Sequence, residues 1–227
     1  MADLVEIHCE TLYVLDGRGD MVSDNNPFPP ERRGCCRLHL GWNDRALTYR
    51  FRRDVPRRTR DRFVAWLERH SPVGRERPSG LGELGGLFGV AADRIAAGPA
   101  YYAATDPPPV AGVTAVGGEN AHCLPAGYLQ EDEIDRVQPC YAVVAGGRAL
   151  SVCVTVRRSG RGIEAGVDTE PDCRGRGYAG RVTAAWIAAA RAEGLIPFYS
   201  TESDNLASRR VAEKLGLVRF AWELGVR

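Results

Sequence analysis

Between Gly162 and Ala192 a strand pattern passes into a helix pattern through Glu170-Pro171-Asp172-Cys173-Arg174-Gly175-Arg176-Gly177-Tyr178-Ala179-Gly180, and few folds are built around such a junction. A strand that ends in a Gly-rich turn at a helix N-terminus is an anion site. The first amide N–H groups of the helix lack partners, the positive end of its dipole points outward, and glycine lets a ligand approach the backbone. The ligand predicted here is a pyrophosphate.

Three cofactor classes present one. A P-loop requires Gly-Lys-Ser/Thr at the end of the turn, and the only lysine of this chain is Lys214. A dinucleotide fold is harder to dismiss on motif alone. Gly175, Gly177 and Gly180 match Gly-x-Gly-x-x-Gly, and Glu202 stands about where an acid would contact the ribose. Against it, Pro171 to Cys173 separate strand from turn, and the chain beyond Gly180 is too short to complete two mononucleotide-binding halves. Gly80, Gly82 and Gly85 repeat the pattern after a segment that is no strand, so the bare spacing carries little weight in a glycine-rich chain.

The third class is coenzyme A. Arg174-Gly175-Arg176-Gly177-Tyr178-Ala179 resembles the Arg/Gln-x-x-Gly-x-Gly/Ala signature of the GNAT superfamily of N-acetyltransferases. Downstream, Tyr199-Ser200-Thr201-Glu202-Ser203-Asp204-Asn205-Leu206-Ala207-Ser208 and Ala212-Glu213-Lys214-Leu215-Gly216-Leu217 look like the fifth strand and fourth helix of that fold, with Leu217 where phenylalanine is more usual. The resemblance covers roughly residues 110–227. It implies an α+β fold, a mixed, mostly antiparallel sheet flanked by helices, preceded here by a small α+β unit over residues 1–105.

It also implies an enzyme that transfers acetyl from acetyl-CoA to an amine within a ternary complex. The amides of Arg174, Gly175, Arg176, Gly177, Tyr178 and Ala179 would hold the CoA pyrophosphate, with the two arginines adding charge. Backbone groups of Val167, Asp168 and Thr169, where the fourth and fifth strands splay, would meet the pantetheine arm and polarise the thioester carbonyl. Asn205 matches the family's cofactor-contacting asparagine. The tyrosine that often protonates the departing thiolate is replaced by Ala212. Ser208 is therefore the candidate acid, its alternative being a serine in the first turn of a helix. Glu164 is the candidate base, its alternative a solvated or ion-paired strand glutamate; Asp168 is a weaker one, and Tyr199 is expected along the acceptor channel. Because Ala212 leaves the acid unassigned, a non-catalytic acyl-CoA-binding module is the competing function.

The rest of the chain is less specific. A break at Ala103-Ala104-Thr105-Asp106-Pro107-Pro108-Pro109 divides it. Before the break the pattern predicts a hairpin around Asp16-Gly17, a loop over Met21 to Arg33, strands at Arg37 to Leu40 and Ala46 to Phe51, and a helix over Pro56 to His70. After it come irregular helices over Gly118 to Ile134, strands at Tyr141 to Val144 and Ala149 to Val156, and a last strand at Val218 to Leu224. Tyr101 and Tyr102 fit either a cover over the acceptor or core. Arg50, Arg52, Arg53, Arg57, Arg58, Arg60 and Arg62 form a basic run, but the formal net charge of +1 argues for a solvated face and against a nucleic-acid partner. Seven cysteines without paired spacing predict reduced thiols and no metal site, Cys35, Cys36 and His39 lacking a second ligand pair. With no bilayer-length apolar run and no secretory pattern in Met1 to Glu10, the expected setting is the cytoplasm, with no membrane partner, as a monomer or homodimer.

Overall fold

The structure is a computed structural model that describes residues 2–28, 34–129 and 133–227. The chain opens with a helix, α1 (Ala2–Leu12), and a hairpin, β1 (Tyr13–Leu15) and β2 (Met21–Asp24). Strands β3 (Leu38–Trp42) and β4 (Leu47–Phe51) are followed by α2 (Arg57–His70), α3 (Leu81–Phe88) and β5 (Ile95–Tyr102). The second half contributes β6 (Thr114–Ala115), β7 (Tyr141–Ala145), β8 (Arg148–Arg158), β9 (Gly162–Thr169), α4 (Tyr178–Ala192), β10 (Ile196–Ser200), α5 (Leu206–Lys214) and β11 (Val218–Val226).

The large sheet has nine strands in the order β4-β3-β11-β5-β10-β9-β8-β7-β6. Only β9 and β10 run parallel; the other neighbours are antiparallel. This is the α+β class expected. The front strands β3, β4 and β5 are hydrogen-bonded into this sheet across the Ala103–Pro109 break, with β5 between β10 and β11, while β1 and β2 make a two-stranded sheet of their own.

Alternation along the strands assigns the layers. On one face, Leu38, Leu40 and Trp42 of β3 and Trp222, Leu224 and Val226 of β11 pack with Phe63 and Trp66 of α2 and Leu84 and Phe88 of α3. On the same face Ile163, Ala165 and Tyr199 meet Val182, Trp186, Ile187 and Ala190 of α4 and Ala212 of α5. Trp186 is core, as its spacing predicts, and its indole N–H donates to Thr155 Oγ1 at 3.1 Å. The opposite face carries α1, whose Val5 and Ile7 pack with Ala100, Phe198, Phe220 and Ala221. Gly41 of β3 admits the helix: a Cβ there would lie 3.0 Å from Val5 Cγ1.

Four differences from the sequence expectations have physical causes. Helix α1 was not anticipated, because Asp3, Glu6 and Glu10 mask a short apolar stripe. Strand β5 was missed because Ala96 to Ala100, with Gly98 and Pro99, has little intrinsic strand preference. The segment that begins at Met21 starts as a strand, held by pairing with β1; residues 29–33 of the expected loop lie outside the described residues. Over 118–134, of which 130–132 lie outside the described residues, only short 3-10 turns form, at Ala121–Cys123 and from Ile134. The basic run is answered by acids: Arg50 pairs with Glu6, Arg52 with Asp54, Arg57 with Asp61 and Arg60 with Asp20. Among the described residues no helix is long and apolar enough to cross a membrane.

Candidate functional site

The two parallel strands separate. β10 pairs with β9 only at Ile196↔Gly162, Pro197↔Ile163 and Phe198↔Glu164. Beyond that point β9 continues to Thr169 against β8, and Tyr199 and Ser200 continue against β5. The Ile196 N–H donates to the Arg161 carbonyl at 3.0 Å, so a parallel ladder stepping by two would aim the Ser200 N–H at Ala165. It donates instead to Glu164 Oε1 at 2.7 Å. The Glu164 carboxylate thus takes the place of the next ladder bond and lets the strands diverge.

Strand alternation also decides which backbone groups face the opening. Odd residues of β9 present theirs to β10 and even residues to β8. Val167 and Thr169 therefore face the gap, and the Thr169 carbonyl accepts from Arg174 Nε at 3.3 Å. Asp168 faces the other way. Its carbonyl accepts from Ser151 Oγ at 3.0 Å, and its carboxylate accepts from Tyr128 Oη at 3.2 Å.

After Thr169 a 3-10 turn at Pro171–Cys173 leads into the glycine turn. Gly175 has φ +76° and Gly177 φ +79°, the left-handed region in which glycine alone is unstrained. Gly177 caps α4 with no side-chain hydrogen bond, so the first amides of a 15-residue helix point outward without a capping acceptor. A Cβ at Gly175 or Gly177 would meet nothing within 4 Å, and Arg174 and Arg176 are exposed beside this concavity. The third glycine of a dinucleotide fingerprint is needed for close helix–strand packing. Gly180 shows no such approach, since a Cβ there also meets nothing within 4 Å.

Tyr199 and Ser208 lie on the α4/α5 side of the opening. Asn205 caps α5 by accepting from the Ser208 N–H at 3.1 Å. The Ser208 and Tyr199 hydroxyls are 2.7 Å apart. Burial pushes the Tyr199 phenol up to about 12. Tyr199 therefore turns to α5, on the face of the sheet that carries α4. Ala212 is buried in the core.

Glu164 lies on the α1 side. Its Oε1 also accepts from Ser200 Oγ at 2.8 Å, and its Oε2 is 3.0 Å from His8 Nε2. His8 Nδ1 is in turn 3.6 Å from Glu223 Oε2. Burial opposes a charged His8, but Glu164 and Glu223 together outweigh it and raise its pKa. Burial likewise raises Glu223, against the pull of His8. Glu223 Oε2 is buried and has no hydrogen-bond partner among the described residues. Glu164, Glu223 and Ser200 line a cavity of about 640 Å³ whose other walls include Tyr13, Asp24, Cys35, Cys36 and His39. The Cys36 thiol donates to Tyr13 Oη at 3.2 Å, and burial depresses His39 to about 3, so it is neutral. Tyr101 is core, and Tyr102 packs edge-on against Phe220.

The family model described as GNAT acetyltransferase matches residues 139–221, from the start of β7 to within β11. Residues 139–221 form a GNAT acetyltransferase domain. No curated protein matches the chain. Among solved structures, a putative GNAT-family acetyltransferase from Novosphingobium aromaticivorans is 25% identical, with 59% of this chain and 66% of that one covered and a TM-score of 0.47. A GCN5-related N-acetyltransferase-like protein from Streptococcus suis is 21% identical over 59% of this chain and 62% of that one, with a TM-score of 0.46. The chain thus spans slightly less than two thirds of these two. A GNAT-family acetyltransferase from Colwellia psychrerythraea is 15% identical over 99% of this chain and 95% of that one, with a TM-score of 0.47.

The matched GNAT segment contains the strand opening, the glycine turn and Ser208, the parts legible in the sequence. His8 and Glu223 lie outside it, at opposite ends of the chain, and sequence reasoning missed both. The one signal that pointed toward them was a histidine inside the otherwise apolar and acidic run Leu4 to Glu10.

Proposed function

We propose that the protein is an acyl-CoA-dependent N-acyltransferase that passes an acetyl group from acetyl-CoA directly to an amine in a ternary complex. The observation that carries this reading is the divergence of β9 and β10 at Glu164, next to an uncapped helix N-terminus at Gly177. The residues fit coenzyme A. The amides from Arg174 to Ala179 suit its pyrophosphate, and Val167 and Thr169 offer backbone groups to its pantetheine arm. Bound acetyl-CoA supplies an activated thioester. Asp168 contributes by position only, since its polar groups are engaged away from the opening.

The two sides of the opening divide the proton work. On the α5 side, the Ser208–Tyr199 hydroxyl pair holds a proton that can be delivered to a departing thiolate. On the α1 side, the Glu164–His8–Glu223 group can collect the proton that an ammonium must lose before attack. About half of the cavity wall on that side, from Leu12 to His39 and at Ala96 to Gly98, comes from the first 105 residues. The front half accordingly shapes the acceptor site. All seven cysteines are free, which suits a reducing, cytoplasmic setting.

Calorimetry with acetyl-CoA, using NADH as the control ligand, tests the reading together with thiol release in the presence of amines. Saturable binding of acetyl-CoA without NADH binding is expected, and absence of acetyl-CoA binding would remove the assignment. In the same assay Ser208→Ala is expected to lower turnover about tenfold with cofactor affinity unchanged, because its hydroxyl lies beside the opening and its backbone cap survives. An unchanged rate would leave Tyr199 as the proton donor.

A further inference from the structure

We infer that Glu223, and not Glu164, is the catalytic residue that takes the proton from the acceptor amine, with His8 as the positioning residue that links the two carboxylates. The inference rests on the acyltransfer reading above and assigns roles inside its acceptor cavity.

Hydrogen bonding separates the two acids. Both oxygens of Glu164 are occupied: Oε1 by the Ser200 N–H and hydroxyl, Oε2 by His8. These bonds tie Glu164 to β10 and to α1 at once, which makes it a strut at the strand opening. Glu223 borders the same cavity, and its Oε2 is buried with no hydrogen-bond partner among the described residues, His8 Nδ1 standing off at 3.6 Å. A buried acceptor oxygen without a donor is costly unless something in the functional state supplies one. An ammonium N–H of the acceptor does so. The fold has means to hold this geometry. Glu223 sits in the middle of β11, locked between Gly41 of β3 and Gly98 of β5. The places of the missing side chains at those two glycines are filled by neighbours, Val5 of α1 over Gly41 and the Thr201 backbone over Gly98, so both flanks of Glu223 are fixed.

The acceptor ammonium transfers one proton to Glu223 Oε2, and the freed nitrogen lone pair forms the N–C bond to the acyl carbon. The C–S bond breaks with its electron pair on sulfur. The nitrogen then loses its second proton as the amide forms, so that one proton ends on sulfur through the Ser208–Tyr199 pair and one leaves through the cavity.

The groups facing Glu223 set the direction of its pH response. They are His8 from α1, Glu164 from β9, Ser200 from β10, and His39 from β3, which is neutral. Tyr13, Cys36 and Arg227 line the same cavity, and β5 presents only Ala96, Ala97 and Gly98. Burial raises Glu223 first of all, His8 lowers it, Glu164 raises it, and the Ser200 hydroxyl, which also donates to Glu164 Oε1, lowers it. A base must be deprotonated to act, so the rate falls as pH drops through this raised value. Removing the cation by His8→Gln moves that acid limb to higher pH. Removing the anion by Glu164→Gln moves it to lower pH. A merely structural role for His8 would lower the rate without moving the limb.

The test uses the full chain, acetyl-CoA, and two probe amines, methylamine and hydroxylamine, with thiol release as readout from about pH 5 to 9, a window wide enough to contain a raised carboxyl value. Methylamine is protonated across this range, whereas hydroxylamine is mostly neutral at its upper end. Glu223→Gln is expected to lower kcat/KM for methylamine about 100-fold and remove the acid limb. For hydroxylamine at the alkaline end the loss should be less than about tenfold, and acetyl-CoA affinity should be unchanged. An acid limb retained in Glu223→Gln but abolished in Glu164→Gln overturns the inference and returns the proton to Glu164. A His8→Gln limb at its original pH overturns the positioning role. If the unaltered protein neither binds acetyl-CoA nor releases thiol with either probe, the acyltransfer reading falls, and this inference with it.

Discussion

Gly177→Val is expected to abolish measurable acetyl-CoA binding, a loss of about 100-fold or more in affinity, while the protein still folds. The residue has φ +79°, and a Cβ added to it would meet no atom within 4 Å, so the substitution enters open space. The cost to the fold is therefore the strain of a β-branched residue in the left-handed region, about 1–2 kcal/mol. The cost to binding is larger. The added methyl groups occupy the concavity where a pyrophosphate must approach the amides of α4, and relief of strain turns those amides away. Gly180→Ala is the control. It lies in the first turn of the helix and outside the positive-φ glycines, so alanine there is expected to stabilise the helix by about 0.5–1 kcal/mol and to leave affinity intact. Calorimetry on both variants, with circular dichroism to establish folding, decides the matter. Undiminished affinity in a folded Gly177→Val would place the cofactor elsewhere.

That site was legible in the sequence because its signals are local. The glycines, the uncapped helix start and the strand before them lie within one short segment, and the chemistry of an anion site follows from the backbone alone. Asn205 and Ser208 were singled out by resemblance to a family motif, and what the structure adds is the cap between them, a contact of near neighbours. Glu164 could be placed on β9, but its role depended on what lay across the gap. The bond from the Ser200 N–H replaces a ladder bond, and no periodicity announces such a substitution. His8 and Glu223 are harder still. They meet because β11 enters the sheet between β3 and β5 and α1 crosses the same face, an arrangement set by long-range pairing. The strand that makes this possible, β5, was itself hidden, since Ala96 to Ala100 is fixed by what it lets approach and not by its own preference for extended backbone.

Gly98→Val sets close approach against strand preference, with an expected loss of about 3 kcal/mol in stability even though valine favours strands. A Cβ at Gly98 would lie 1.8 Å from the Thr201 carbonyl oxygen and 2.9 Å from Glu202 Cα, both backbone atoms that cannot rotate away. The segment after β10 crosses β5 at this residue and is tied down on either side, by the Thr201 N–H to the Pro99 carbonyl at 3.3 Å and the Ser203 N–H to the Ala97 carbonyl at 2.9 Å. Making room means breaking those bonds or shifting β5 within the sheet. Either movement displaces Thr201 and Glu202, which line the cavity beside Glu223, while the glycine turn at the start of α4 is no part of its lining. Urea denaturation is expected to show a lower midpoint. At low temperature, where the variant is folded, acetyl-CoA affinity should be retained and turnover with amines lost. A midpoint at or above that of the unaltered protein would mean that valine's strand preference outweighs the clash, and that the loop after β10 is free to move off the sheet.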